Sequence, residues 1–154
     1  METQLKKGDK APGFSFKDQN GRQISLEELK GNKIILYFYP KDNTPGCTAE
    51  ACSLRDGYDD LLNAGFVVVG VSPDSEKSHE NFRRKYDLPF HLIADPEKKT
   101  IKKYGAWGEK KMYGKTYEGV KRTTFVISED GIIEHVIPKV NTKDHAGQIM
   151  ELYN

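Results

Sequence analysis

The chain has 154 residues, with 24 Lys and Arg against 23 Asp and Glu and a formal charge of +1. That length suits a single domain with a sizeable core, and a hydrophobic content of 36% excludes a disordered chain. No apolar run approaches the ~18 residues that cross a bilayer, and the first seven residues lack the apolar centre of a signal peptide. A cytoplasmic location is expected and a membrane partner is not. The balanced charge also argues against nucleic acid, so the Lys-rich stretch from Lys98 to Arg122 reads as a solvated face.

In chain order, Phe14-Ser15-Phe16 and Gln23-Ile24-Ser25 alternate across Asn20-Gly21, which predicts an N-terminal β-hairpin. Ser25 and Glu28 then form a capping-box pattern on a short helix ending near Gly31. The apolar run over 34–39 predicts a buried strand. A helix over about 45–63 is expected to bury Leu54, Tyr58, Leu61 and Leu62 and to stop at Gly65. Phe66–Val71 has the continuous apolar character of a parallel strand covered on both faces.

Ser72-Pro73 is expected to open the next helix, with Phe82 and Tyr86 inward. A short strand near 90–93 follows, then a helix from the Asp95-Pro96 cap to Gly105. Trp107 and Tyr113 fall in a loop, as core or lid residues. Thr123–Ile127 and Ile132–Ile137 flank Ser128-Glu129-Asp130-Gly131 as a hairpin, and Asn141 or Thr142 caps a last helix carrying Ile149, Met150 and Tyr153. This order predicts an α/β, thioredoxin-like fold over 1–154, a central mixed sheet flanked by helices.

The only cysteines are Cys47 and Cys52, in Pro40-Lys41-Asp42-Asn43-Thr44-Pro45-Gly46-Cys47-Thr48-Ala49-Glu50-Ala51-Cys52. They follow the first buried strand and open a helix. A thiol in a first helical turn faces unpaired N–H groups and the positive end of the helix dipole, both of which favour thiolate. Free cysteines are more often small core hydrophobes, but the turn Thr44-Pro45-Gly46 places this one near the surface. In a reducing compartment a close cysteine pair is catalytic or redox-sensing sooner than structural. Two cysteines without a neighbouring His do not make a zinc site. His79, His91, His135 and His145 are scattered along the chain away from Cys47, so they read as surface or structural residues and give no Cys-His protease arrangement.

Pro40-x-x-x-Thr44-x-x-Cys47 resembles the peroxiredoxin signature, and Cys52 five residues later resembles the bacterioferritin comigratory protein, or peroxiredoxin Q, subfamily. The resemblance extends over Asp9-Lys10-Ala11-Pro12, Phe38-Tyr39-Pro40, Tyr113-Gly114-Lys115 and Arg122-Thr123-Thr124-Phe125. It implies a thiol-dependent peroxidase without metal or cofactor that reduces hydrogen peroxide and organic hydroperoxides. Cys47 would be the peroxidatic cysteine and Cys52 the resolving one, with Thr44, Pro40 and Arg122 completing the site. Glu50 also stands where the subfamily carries one, with no role assigned. A thioredoxin-like reductant would recycle the enzyme, and an intramolecular resolving cysteine lets a monomer suffice.

Such a peroxidase needs more than an ionised thiol. A free thiol is roughly 3% ionised at pH 7, so full ionisation gains at most ~30-fold, and lower basicity erodes that gain. The larger contribution belongs to donors aimed at the peroxide oxygens. The candidates are the Gly46 and Cys47 amides, the Thr44 hydroxyl and the Arg122 guanidinium, whose fork can serve sulfur and oxygen together. Pro40 would shield the thiolate, or merely end its strand. Thr44 could instead be a plain N-cap with Pro45 at N1, Arg122 a surface residue, and Cys52 a buried helix thiol. Two other functions compete. A protein dithiol oxidoreductase usually carries Cys-x-x-Cys, whereas the spacing here is Cys-x-x-x-x-Cys. A redox sensor or chaperone-like switch would oxidise once instead of turning over.

Overall fold

Strand β3 (Lys33–Phe38) runs through the middle of a sheet and sends alternate side chains to its two faces. Ile34, Leu36 and Phe38 enter one buried cluster. Ile35, Tyr37 and, just past the strand, Tyr39 enter the other. An uninterrupted apolar run is therefore what a doubly covered strand requires. These observations come from a computed structural model that describes residues 5–17 and 21–153, the side chain of Met112 excepted.

On one side β3 pairs in parallel with β4 (Phe66–Ser72), and β4 with β5 (His91–Ala94). On the other side it pairs antiparallel with β8 (Thr123–Ile127), itself antiparallel to β9 (Ile133–Ile137). The resulting order, β5-β4-β3-β8-β9, is the mixed thioredoxin-like sheet expected from the sequence. Helices α2 (Pro45–Asp56), α3 (Tyr58–Asn63), α4 (Glu76–Tyr86) and α6 (His145–Glu151) cover one face through Ala51, Leu54, Leu61, Phe82 and Ile149. The opposite face is covered by the hairpin β1 (Ser15–Lys17)–β2 (Gln23–Ser25), α1 (Leu26–Leu29) and α5 (Lys99–Lys103). Ser25 caps α1 as predicted, its hydroxyl accepting the Glu28 N–H. Of the predicted hairpin turn, Asn20 lies outside the described residues.

Several local expectations are corrected. The helix over 45–63 is two helices that break at Gly57, where a Cβ would lie 2.6 Å from the Ala146 Cβ of α6. After the break Leu61 stays buried but Leu62 turns outward, 45% exposed. Helix α4 starts at its cap Ser75, not at Ser72-Pro73. Asp95 does cap, but across a turn, accepting the N–H groups of Lys99 and Ile101, so α5 begins later than its proline suggested. Asp144, not Asn141 or Thr142, caps α6 by accepting the Gly147 N–H.

The expected loop after Ala106 is instead a hairpin, β6 (Trp107–Met112)–β7 (Lys115–Val120), which forms its own two-stranded sheet. Its positive-φ turn pair, Tyr113 (φ 52) and Gly114 (φ 77), matches the tight turns that fit strand twist. Lysines in place of an apolar face hid it from pattern reading. Tyr113 is 97% exposed and so belongs to neither core nor lid, whereas Trp107 packs against the core.

Gly70 of β4 sits opposite Tyr37 in register, and a Cβ there would lie 2.7 Å from Tyr37 Cζ and 2.9 Å from Leu92 Cδ2. Gly70→Ala should therefore destabilise the fold by about 1–3 kcal/mol, read as a lowered urea midpoint.

Candidate active site

Cys47 lies in the first turn of α2, which starts as β3 ends. Pro45 at the first helical position donates no N–H and fixes the entry. The amides of Gly46 and Cys47 have no acceptor within the helix. Cys47, expected near the surface, is only 1% exposed. Its chain neighbour Gly46 and its contact Arg122 line a cleft of about 490 Å³, with Pro40, Thr44 and Trp107, but Cys47 itself does not. A larger groove of about 770 Å³ between α2–α3 and α6 is not lined by either cysteine.

Arg122 reaches the thiol because of strand register. Thr123 pairs with Phe38, so the residue before Thr123 meets the end of β3 and the start of α2. Its Nη2 donates to Cys47 Sγ at 3.3 Å and its Nη1 to Glu50 Oε1 at 2.7 Å. Gly46 makes room for this approach, since a Cβ there would lie 3.1 Å from Nη2. Glu50, one turn along α2 from Cys47, is fully buried. Burial pushes its carboxyl up to about 7 against the opposing pull of Arg122.

Thr44 occupies the N-cap position but does not cap. Its hydroxyl donates to the Lys41 carbonyl at 2.8 Å, and no side chain accepts from the helix amides. Its proton is thus committed and its lone pairs remain to accept. Pro40 lines the same cleft. Cys52 is half-buried on the same helix as Cys47, and both are free thiols. The structure therefore brings Pro40, Thr44 and Arg122 to one cleft, holds the buried Cys47 against Arg122, and leaves Cys52 a little more than one helical turn from Cys47.

Two polar clusters escaped the sequence reading. In the first, Asp42 accepts from Tyr39 Oη at 2.7 Å and from Ser78 Oγ at 2.8 Å, and pairs with His79 Nδ1 at 2.7 Å. Burial alone would raise the Asp42 carboxyl, but its hydrogen bonds from His79, Tyr39 and Ser78 hold it below the usual carboxylate value. This cluster ties the loop before Thr44 to α4. Asp42, Asp74 and His79 are close enough to bind a metal, and the two nitrogens of His79 face Asp42 Oδ2 and, at 2.9 Å, the Ile93 carbonyl.

In the second cluster, His145, fully buried at the start of α6, stands with Nε2 3.6 Å from Glu50 Oε2. Sequence separation concealed this approach of a histidine to the Cys47 site. Burial holds His145 down at about 4, with a smaller contribution from Arg122 against the hydrogen bond to Gln148. A Glu three residues after Cys47, facing the same way on the helix, was the available signal for the cluster.

The two buried groups act oppositely on stability. Glu50 is raised from 4.5 to about 7, so its contribution is present at low pH and is lost as pH rises through that window. His145 is lowered from 6.5 to about 4, so its contribution is present at high pH and is lost on acidification. Glu50→Gln removes the first and leaves the second. The variant should lose up to about 3 kcal/mol between pH 6.5 and 4, a steeper loss than in the unmodified protein, as read from urea midpoints across pH.

Residues 7–136 match the AhpC/TSA family. The chain is 48% identical to the bcp protein of Coxiella burnetii, over 93% of this chain and 95% of that one. It is 45% identical to peroxiredoxin Bcp of Escherichia coli, over 92% and 90%. Among solved structures, peroxiredoxin Q of Xanthomonas campestris superposes with a TM-score of 0.84 at 34% identity, covering 91% of this chain and 89% of that one. With that breadth of match and this geometry around Cys47, the chain belongs to the AhpC/TSA family and, within it, to the Bcp and peroxiredoxin Q peroxiredoxins, which are thiol-dependent peroxidases.

Proposed function

We propose that the protein reduces hydrogen peroxide and organic hydroperoxides at Cys47, resolves the product with Cys52, and is recycled by thioredoxin or a similar thiol reductant, as a cytoplasmic, monomeric antioxidant enzyme. The observation that carries this reading is the 3.3 Å contact from Arg122 Nη2, in the wall of a cleft, to the buried sulfur of Cys47. A hydroperoxide offers one O–H donor and two acceptor oxygens. The Thr44 oxygen can take the donor, because its own proton is held by Lys41. Arg122 and the amides of Gly46 and Cys47 can serve the acceptors. The S–O bond forms as the O–O bond breaks, and the donors stabilise charge arriving on the departing oxygen. Pro40 and Trp107 supply apolar wall, which suits the organic substituent of an alkyl hydroperoxide. Alkyl peroxide reduction is the activity named for the bacterioferritin comigratory protein of Xanthomonas campestris, a 34% identical structural neighbour.

The sulfenic acid then condenses with the Cys52 thiol, releasing water and forming a disulfide. Residues i and i+5 of an intact helix are about 9 Å apart at Cα, beyond the ~7 Å limit of a disulfide. Cys47 and Cys52 share α2, so its first turns must unwind for the bond to close. A further reductant thiolate would attack that disulfide and restore both thiols.

One equivalent of hydrogen peroxide should rapidly remove two hydrogens from the intact mass, reversibly with thioredoxin and its reductase. The N-terminal half of α2 should then exchange its amide hydrogens faster than in the reduced protein. Oxidation at the rate of an ordinary thiol would refute the peroxidase, and unchanged exchange would refute the unwinding.

Thr44→Val should slow peroxide reduction on the order of a hundredfold while changing stability by about 1 kcal/mol or less, and Thr44→Ser should restore the rate. Stopped-flow oxidation paired with thermal melts separates these effects from those of a simple cap.

A further inference from the structure

We propose that Glu50 is the charge-balancing group of the site, protonated while Cys47 is a thiolate and ionised once Cys47 has become a sulfenic acid, with His145 as the positioning residue that favours the protonated form. This rests on the reading of Cys47 given above. The argument begins at Gln148, whose amide orientation is fixed from both ends. Its Nε2 donates to the Lys139 carbonyl at 2.9 Å and its Oε1 accepts the Asn141 N–H at 2.8 Å. An oxygen therefore faces His145 Nδ1 at 3.0 Å, so Nδ1 carries the proton. In the neutral ring Nε2 is left with its lone pair, which accepts from Thr124 Oγ1 at 2.8 Å.

That lone pair is also the nearest ring group to Glu50 Oε2, 3.6 Å away. Glu50 Oε2 is buried and has no hydrogen-bond partner. An ionised oxygen in a dry site, with no donor of its own and facing a ring nitrogen that bears no proton, is unfavourable, and a proton on Oε2 removes that charge. The other carboxyl oxygen already takes Arg122 Nη1.

The groups facing Glu50 support the same assignment. They are Cys47 on its own helix, Arg122 before β8, His145 of α6, and Tyr37 of β3, whose hydroxyl is likewise buried without a partner. Arg122 is the one cation among them. It balances a thiolate or an ionised Glu50, and a low-dielectric interior penalises both together. Burial raising Glu50 to about 7 while holding His145 down at about 4 is consistent with a protonated carboxyl beside a neutral ring.

The charges balance across the reaction. The Cys47 thiolate, a hydroperoxide and the Glu50 carboxylic acid give a Cys47 sulfenic acid, an alcohol or water, and the Glu50 carboxylate. Sulfur loses two electrons to the O–O bond. The proton given up by Glu50 matches the one gained by the departing oxygen. Arg122 exchanges one anionic partner for the other without moving.

Infrared difference spectra of the Cys52→Ser protein, reduced against treated with one equivalent of hydrogen peroxide, read Glu50 directly, while dimedone labelling counts the sulfenic acid. One protonated-carboxyl C=O band should be lost per sulfenic acid and replaced by a carboxylate band, and both changes should vanish in Cys52→Ser/Glu50→Gln. In the reduced state the midpoint of that band should fall by about one pH unit or more in His145→Phe. Gln148→Met, which frees Nδ1 and lets the ring turn an N–H toward Glu50, should act in the same direction without removing the imidazole. A carboxyl spectrum unchanged by sulfenic acid formation overturns the charge balance, and an unchanged midpoint in the folded variants overturns the role of His145. Absence of labelled sulfenic acid would defeat the reading of Cys47 and this proposal with it.

Discussion

The Arg122 guanidinium, with its side chain only 24% exposed, lies between a thiol sulfur and a buried carboxyl group, and its orientation governs what the site can do. A cation withdrawn from water is costly unless its donors are used in good geometry. Here the planar fork spends one nitrogen on Glu50 and another on Cys47, an arrangement the single point charge of a lysine does not reproduce. The helix start, the strand register and the glycine before Cys47 all serve that approach. Gly46 gives it room, and the pairing of Thr123 with Phe38 brings Arg122 to the end of β3.

Helix α2 carries these demands together with a conflicting one. In the function proposed above, its intact first turn would present the Gly46 and Cys47 amides to the peroxide, yet the same turn keeps Cys52 out of disulfide range of Cys47. Further along, Ser53 Oγ accepts the N–H groups of His145 and Ala146 at 2.7 and 3.3 Å, so the start of α6 is tied to α2 just beyond Cys52. Gly57 then lets α6 press against the break between α2 and α3. The helix is anchored from its middle onward, while no side chain caps its N-terminus. Unwinding is therefore easier from the Cys47 end, which is where the proposed Cys47–Cys52 disulfide would require it.

Asp42 and His79 support the opposite side of the cleft. The loop between β3 and α2 carries a strained residue, Asn43 at φ 63, and its neighbour Asp42 is held by hydrogen bonds from Tyr39, Ser78 and His79. Strain of that kind persists only where surrounding contacts over-determine it. Thr44 comes directly after this fixed loop, and its hydroxyl stays turned toward Lys41 instead of settling on the helix amides.

By itself the sequence determined the elements whose physics is local. The apolar runs of β3 and β4, the Ser25 cap, the hairpin turn after Ser128 and the Pro-Gly-Cys helix start are all written in neighbouring residues, and from these the thioredoxin-like order follows. The Pro40–Cys52 string likewise pointed to a thiol peroxidase of the peroxiredoxin family. The β6–β7 hairpin was illegible because its strands carry lysines in place of an apolar face. The break at Gly57 was hidden because only the packing of α6 makes a glycine necessary there. His145 comes to Glu50 from 95 residues away in the chain, and His79 comes to Asp42 from 37. Such meetings depend on how helices settle on a sheet, which spacing along the chain does not encode. Only the tertiary structure could decide which buried charges face one another, because burial and distance, not residue type, set the energy of a charge.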